Sequence, residues 1–209
     1  MDVPAAKDWG GPLRMIEQAG QACLDAPGPE EAMRVLARAC YDTLGDREAH
    51  LRPGALKPGE HQFFVAGVFI VSPDTKVHML VGNIGFPPEQ ERLLVPIDGG
   101  HPGQVYATRE KLLLKNTDDH VSFKQYLKSA RMGSTIFAPM IVRGHFHGQL
   151  IMAAQARHTM READLEVIVA LSRVAVGAWL AHDGPQWLAR NYPPPNAYAV
   201  DRGGLNPRD

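Results

Sequence analysis

The sequence predicts an α+β fold: an antiparallel sheet with N-terminal and long C-terminal helices packed mostly on one face and a helical excursion among the strands. Three observations lead there. Two segments with helical spacing of apolar residues open the chain, short apolar strands separated by turn chemistry follow, and a long apolar helical segment comes last. Helices grouped apart from strands, with one helical excursion among the strands, is the α+β order rather than the alternation of a parallel sheet. There is no internal repeat.

Leu13, Ile16, Ala19, Gly20, Cys23 and Leu24 recur at helical spacing and predict a first helix from about Pro12 to Ala26, which Pro27-Gly28-Pro29 must break. Pro29-Glu30-Glu31 is a fresh start, because proline fits a first turn and carboxylates face the positive end of the helix dipole. Met33, Leu36, Ala37, Cys40 and Leu44 then form one stripe, with Gly45 as the stop. His50 to Glu60 carries two prolines and two glycines and reads as a loop.

Phe63 to Val71 is a nearly continuous apolar run, the pattern of a strand covered on both faces. Ser72-Pro73-Asp74-Thr75 is turn chemistry, and Val77, Met79 and Val81 supply the hairpin partner. Arg92 to Ile97 and Lys111 to Leu114 are two more short strands, and Gly99 to Gly103 leads into a short helix, Gln104 to Arg109, between them. Asn116 to Asp119 is a loop, and Ser122 is placed to cap a helix through Arg131. Thr135 to Val142 and Gly148 to Gln155 form a second hairpin around Arg143-Gly144. Thr159-Met160-Arg161-Glu162 is a capping box that opens a helix running to about His182. The tail from Gly184, with its prolines and aromatics, is expected to be irregular. The organisation is therefore an extension over 1–28, one domain over 29–182 and a proline-rich tail over 183–209.

Composition narrows function by exclusion. The 209 residues carry 22 Lys+Arg against 23 Asp+Glu, a net charge of −1, without the basic excess of a nucleic-acid binder. Cys23 and Cys40 are too few for a disulfide framework and fit a reducing compartment. Met1 to Asp8 lacks the charged and apolar regions of a signal peptide. The most apolar stretch, Val167 to Ala181, is interrupted by Ser172, Arg173 and Gly177 and falls short of the ~20 residues of a membrane span. A cytoplasmic location, with neither membrane nor nucleic acid as partner, is the expectation. From Val167 to Leu180 almost every side chain is apolar, so that helix must be covered on all sides. One face can rest on the sheet. The rest needs the N-terminal helices, a second copy of the chain, or both; a symmetric homodimer through helix packing is the expectation.

Leu94-Val95-Pro96-Ile97-Asp98-Gly99-Gly100-His101-Pro102-Gly103 and the following Gln104 to Glu110 combine a Gly-rich entry with a short helix before the next strand. Leu114-Lys115-Asn116-Thr117-Asp118-Asp119 is a strand entering an Asp-containing loop. Ser134 to Met140, Gly144 and Gly148-Gln149-Leu150 make a hairpin in which proline ends one strand and glycine begins the next. In order and spacing, from about Met33 to Leu180, these segments resemble a GAF domain, the small-molecule sensor fold related to PAS. The resemblance implies a ligand pocket between the sheet and the helical excursion, with Gly99 to Arg131 as its lid and far wall.

Bilin-binding relatives attach their chromophore through a cysteine near the pocket, and free methionine sulfoxide reductases of the family need several. Here both cysteines lie on the N-terminal helices, outside Gly99 to Arg131, so neither chemistry is expected. Nor is the Asn-Lys-x-x-Phe-Asp-Glu signature of cyclic-nucleotide binders matched. Nine histidines raise a metal or haem reading, with His145 and His147 on one face of a strand, but spacing alone brings no third ligand to them, and no metal is assigned. Ser122 and Ser134 lack the Gly-x-Ser-x-Gly elbow of a hydrolase, and no catalytic constellation is found.

An apolar cavity orients a small ligand through a few converging polar groups. The candidates are His78, His101, Gln104 and Thr108, together with Asn116, Asp118, His120 and Ser134. The expected function is a stand-alone sensory or regulatory domain. It binds a small molecule non-covalently, by a cofactor the sequence leaves unidentified if by any, and signals through helix packing to a separate output partner, since 209 residues leave no room for an output domain. The alternative is a protein-interaction or assembly module whose vestigial pocket is filled by side chains.

Overall fold

A computed structural model of the chain describes residues 10–205, so the expectation for Met1 to Asp8 lies outside the described residues, as do the last four positions of the tail. Two helices, α1 (Gly10–Leu24) and α2 (Pro29–Thr43), precede the sheet. Its strands are β1 (Phe64–Val71), β2 (Val77–Ile84), β3 (Leu93–Pro96), β4 (Leu112–Leu114), β5 (Ser134–Val142), β6 (His145–Ala154) and β7 (Tyr198–Ala199). Helix α3 (Gly100–Thr108) stands between β3 and β4, and α4 (Glu162–Ala181) and α5 (Gly184–Asn191) follow β6. The strand order is β4-β5-β6-β1-β2-β3-β7, antiparallel throughout except for the parallel β3–β7 pair.

Strand β1 shows why the sheet needs two covers. Phe64, Ala66, Val68 and Ile70 enter the core beneath the helices, whereas Val65 and Phe69 enter smaller apolar clusters on the opposite face. β5 and β6 divide alike: Ile136, Ala138, Leu150 and Met152 face the helices, and Phe137 and Ile151 face the lid. Helix α2 buries Met33, Leu36, Ala37 and Cys40 in the helix-side core, and α4 buries Ile168, Leu171, Ala175 and Trp179 there. α2 approaches so closely that a Cβ on Gly82 would lie 2.5 Å from the backbone of Met33 and Arg34. The second hairpin is tight, because Arg143 (φ 49°) and Gly144 (φ 76°) are both left-handed, as a two-residue turn with right-handed strand twist requires.

Several expectations need correction. Helix α3 begins at Gly100 rather than Gln104, and β6 begins at His145 rather than Gly148. No helix forms from Ser122 to Arg131; the segment is irregular, and its backbone is bonded by distant side chains. The final helix starts at Glu162, not on a Thr159 cap. Thr159 donates its hydroxyl to the Ala156 carbonyl instead, and the Asp164 carboxylate accepts from the N–H groups of Arg161 and Gly45, both at 2.9 Å. The tail is not wholly irregular. It continues as α5 and then lays β7 along β3, with Tyr198 and Val200 donating N–H bonds to the carbonyls of Arg92 and Leu94. Within one chain, α4 is covered by β5, β6, α2 and α1, the arrangement weighed against a second subunit above. Among the described residues no single helix is long and apolar enough to cross a membrane.

The Gly82 contact yields a prediction. Gly82→Ala forces α2 off the sheet and should lower unfolding stability by about 1–3 kcal/mol with the fold retained, measured by urea denaturation. An unchanged midpoint would show that α2 does not rest on the sheet at this point.

Candidate functional site

The lid face of the sheet is floored by Val65 and Phe69 of β1, Phe137 of β5 and Ile151 of β6, all buried. Above them lie the start of α3, with His101 and Pro102, and the irregular segment carrying Phe123, Tyr126, Leu127 and Met132. Between floor and roof is a cavity of about 80 Å³, with room for roughly two or three waters. Its wall is almost wholly apolar. Thr135 also reaches it, but its hydroxyl is spent on the Met152 carbonyl at 3.1 Å. A larger cleft of about 480 Å³ lies at the end of the sheet, between His145 and His147 on one side and Trp179 and Leu188 on the other.

Two residues that line the cavity each carry a fully buried polar atom without a hydrogen-bond partner: His101 at Nδ1 and Tyr126 at its hydroxyl. His101 is 3% exposed, its ring perpendicular to that of His120 (centroids 5.7 Å apart) and 5.5 Å from that of Phe123. Burial, with His120 and the Arg131 cation nearby, pushes its pKa down to about 4, so the imidazole is neutral at physiological pH. Burial and the Asp98 carboxylate push Tyr126 up to about 12, which keeps its phenol protonated. Its hydroxyl lies against the start of α3, where a Cβ on Gly99 would come within 2.8 Å of it.

Because the roof has no regular structure, side chains from elsewhere must satisfy its backbone. The fully buried Gln90 donates to the Tyr126 carbonyl (2.8 Å) and accepts from the Lys128 N–H (2.7 Å). Arg131 donates to the carbonyls of Phe123 and Thr117 and stacks over the Phe123 ring. Asp118 holds the base of the lid, accepting from Arg157 Nε at 2.9 Å and pairing with Lys57 at 2.8 Å and Arg131 at 3.5 Å. Arg157, itself 3% exposed, also grips Glu60. The tail adds an outer tie: Leu205 donates its N–H to the Gln125 carbonyl at 2.7 Å, and Arg202 pairs with Asp98 at 2.9 Å.

Of the residues expected from sequence, His101 is on the cavity wall and His120 packs against its ring. The others are elsewhere. His78 is fully buried on the lid side near the rings of Tyr106 and Phe146, with Nε2 bonded to the Ile97 carbonyl. Gln104 and Thr108 are exposed on the outer side of α3, joined by a bond from the Thr108 hydroxyl to the Gln104 carbonyl. Asn116 caps the 3₁₀ turn Thr117–Asp119, and Asp118 belongs to the charge network. Ser134 donates to the Leu114 carbonyl and accepts from the Met160 N–H, a buried cross-tie. Missed were Tyr126, Phe123 and Leu127, whose apolar i, i+3, i+4 spacing was a visible sign that this segment turns one side inward. The rings of His145 and His147 are 4.5 Å apart, and among the described residues no three His, Cys, Asp or Glu side chains gather to hold a metal. Cys23 and Cys40 lie in the helix-side core, across the sheet from the cavity, and burial raises both thiols.

A mostly antiparallel sheet, helices on one face and a cavity under a lid on the other define a small cavity-bearing α+β domain. The GAF domain family model matches residues 29–179, and the chain belongs to the GAF domain family. Similar solved structures include the GAF domain from an Acinetobacter phosphoenolpyruvate-protein phosphotransferase (15% identity, TM-score 0.66, covering 88% of this chain and 95% of that one). The free methionine-R-sulfoxide reductase of Neisseria meningitidis, solved with its substrate, is similar too (15%, 0.65, 88% and 98%). A methyl-accepting chemotaxis protein fragment also matches (15%, 0.60, 81% and 99%). No curated protein matches the sequence. The fold is thus shared by sensory proteins and by an enzyme.

The two buried imidazoles give the site a pH signature. Burial pushes His78, like His101, down to about 4 from the usual 6.5, so the unfolded chain binds more protons across that interval. Their contribution is complete above the unfolded value and is lost as pH falls toward the folded one, about 3 kcal/mol for the fully buried His78. Urea unfolding should show stability falling steeply from pH 6.5 to pH 4. A flat profile there would mean that the imidazoles are not buried neutral.

Proposed function

We propose that this GAF domain is a sensory or regulatory module that binds a small molecule non-covalently in the cavity between sheet and lid, and passes the occupancy to a partner protein through its helices. The observation that carries this reading is the cavity itself: an apolar space roofed by an irregular segment that few side chains hold down. His101 is the binding residue at its wall, with His120 behind it. Coupling rests on the sheet, because β1, β5 and β6 floor the cavity with one face and carry α2 and α4 on the other. A ligand that binds one lid position better than another shifts the populations of both layers by its differential affinity. Non-thiol function is supported by the two cysteines lying across the sheet, buried with raised pKa values.

The small size of the cavity, about 80 Å³, favours a second reading, an interaction module whose pocket is filled by side chains. A thermal-shift screen of nucleotides, oxoanions, haem and small organic molecules separates the two. Ligand binding to the native state at a hundredfold its Kd should stabilise it by about 2.7 kcal/mol, and a flat response to every class would favour the filled pocket.

We also propose that the chain forms a homodimer through α1 and α4. Leu13 and Leu24 on α1 are 62% and 55% exposed, and Leu180 on α4 is 38% exposed, leaving apolar side chains uncovered beside the layer that would carry the signal. Light scattering at micromolar concentration should give the dimer mass, and Leu13→Glu should shift it to monomer. A monomer for the unaltered chain would refute the interface.

A further inference from the structure

The cleft of about 480 Å³ at the end of the sheet falls within the roughly 300–1,000 Å³ of small-molecule sites. It exists because the sheet splits there. Pairing of β1 with β6 ends at Ile70 and Gly148; β1 then turns away at Ser72, while His145, Phe146 and His147 run on beside β5 alone. The gap is reached from both faces, by Trp179 and Leu188 from the helix side and by Tyr106 and Phe146 from the lid side.

Three nitrogen-bearing side chains line this cleft with their hydrogen-bonding capacity unspent. His145 and His147 stand with ring centroids 4.5 Å apart and make no hydrogen bond to the described residues. Burial and the neighbouring His145 hold His147 below the usual imidazole range, so at pH 7.5 it is a neutral polar group. Arg109 pairs with no carboxylate among the described residues, and its guanidinium lies 4.6 Å from the ring centroid of Tyr106 and 4.9 Å from that of Phe146. Those two rings are perpendicular, so they hold the guanidinium in a corner and leave N–H groups for an outside acceptor. Arg109 also ends α3 at φ 64°, a left-handed position that glycine takes without strain. An arginine kept there points to a use for its side chain. No aspartate or glutamate lines the cleft; Asp74, in the turn beside it, is spent on the Ser72 hydroxyl and on Lys76.

We propose that this cleft is a second ligand site, separate from the cavity under the lid, and that it takes a small organic carboxylate. The carboxylate lies on Arg109, whose planar fork matches it, and His145 and His147 add neutral polar contacts. The apolar body rests against Trp179 and Leu188, both buried in the helix-side core. That apolar wall sets an organic acid apart from an inorganic anion.

The test is calorimetry of the full chain at pH 7.5 with benzoate, benzamide and acetate. Benzoate should bind, benzamide about tenfold more weakly for want of charged hydrogen bonds, and acetate about tenfold more weakly for want of an apolar body. Arg109→Gly removes the guanidinium and the left-handed strain together. The relief of strain offsets the lost ring contacts, so this variant should unfold at a similar urea concentration while the preference for benzoate over benzamide disappears. Replacing His145 and His147 together by alanine should weaken benzoate about fivefold and keep the preference. Ala153→Leu, which narrows the cavity under the lid, should leave benzoate binding unchanged. Benzoate held no more tightly than benzamide, or an unchanged preference in Arg109→Gly, would overturn the carboxylate site. Loss of benzoate binding in a folded Ala153→Leu would move the ligand to the lid cavity and overturn the cleft as its place. Failure of every probe to bind would overturn the proposal while leaving the lid cavity untouched.

Discussion

The fold depends on one constraint: a central sheet that is apolar on both faces and so needs two separate covers. On one face the cover is regular. Helices α2 and α4 lay continuous apolar stripes over β1, β5 and β6, and close approach at Gly82 brings α2 onto the sheet. On the other face only α3 is regular, and the remainder is a segment whose backbone has no ladder or helix to satisfy it. This asymmetry separates a layer held by dispersed apolar packing from a layer held by a few polar ties. Burial of the helix-side core is broad and dispersed over many side chains, whereas the lid hangs on Gln90, Arg131, the Asp118–Arg157 cluster and the tail.

Those ties also explain why polar residues near the cavity do not all face it. Asp118 and Asn116 spend their side chains holding the lid's base, and Ser134 ties β5 to β4 and to the segment entering α4. Of the residues lining the cavity, His101 and Tyr126 each keep a buried polar atom that the structure has not used. The tail has a comparable place in the fold. By pairing with β3 it covers an edge that would otherwise be exposed, and through Leu205 and Arg202 it reaches both the lid and the entry to α3.

Regular elements were legible in the sequence because periodicity and punctuation are local. The Phe63 to Val71 run announced a strand buried on both faces, and Pro29-Glu30-Glu31 announced α2. Elements decided by distant partners were not. Ser122 is a sound cap in isolation, yet no helix follows, because Gln90, over thirty residues earlier, bonds the backbone on both sides of Leu127. Thr159 likewise has cap chemistry but is drawn to the Ala156 carbonyl, and Asp164 does the capping. For the site, the family resemblance located the lid correctly, but residue type alone could not distinguish His101, on the wall, from Gln104, one turn on and exposed. β7 was invisible for the same reason: two residues of strand exist only because β3 offers an edge.

The central claim is that the lid opens independently of the helix layer and so admits a ligand. Native-state amide hydrogen exchange tests it most directly, because local openings and global unfolding differ in free energy. The account predicts that the amides of Thr117, Phe123 and Lys128 exchange through an opening well below the global unfolding free energy, while those of α2, α4 and β1 exchange only on unfolding. Equal protection of the lid and the helix layer would contradict it, since the cavity would then open only when the whole domain does.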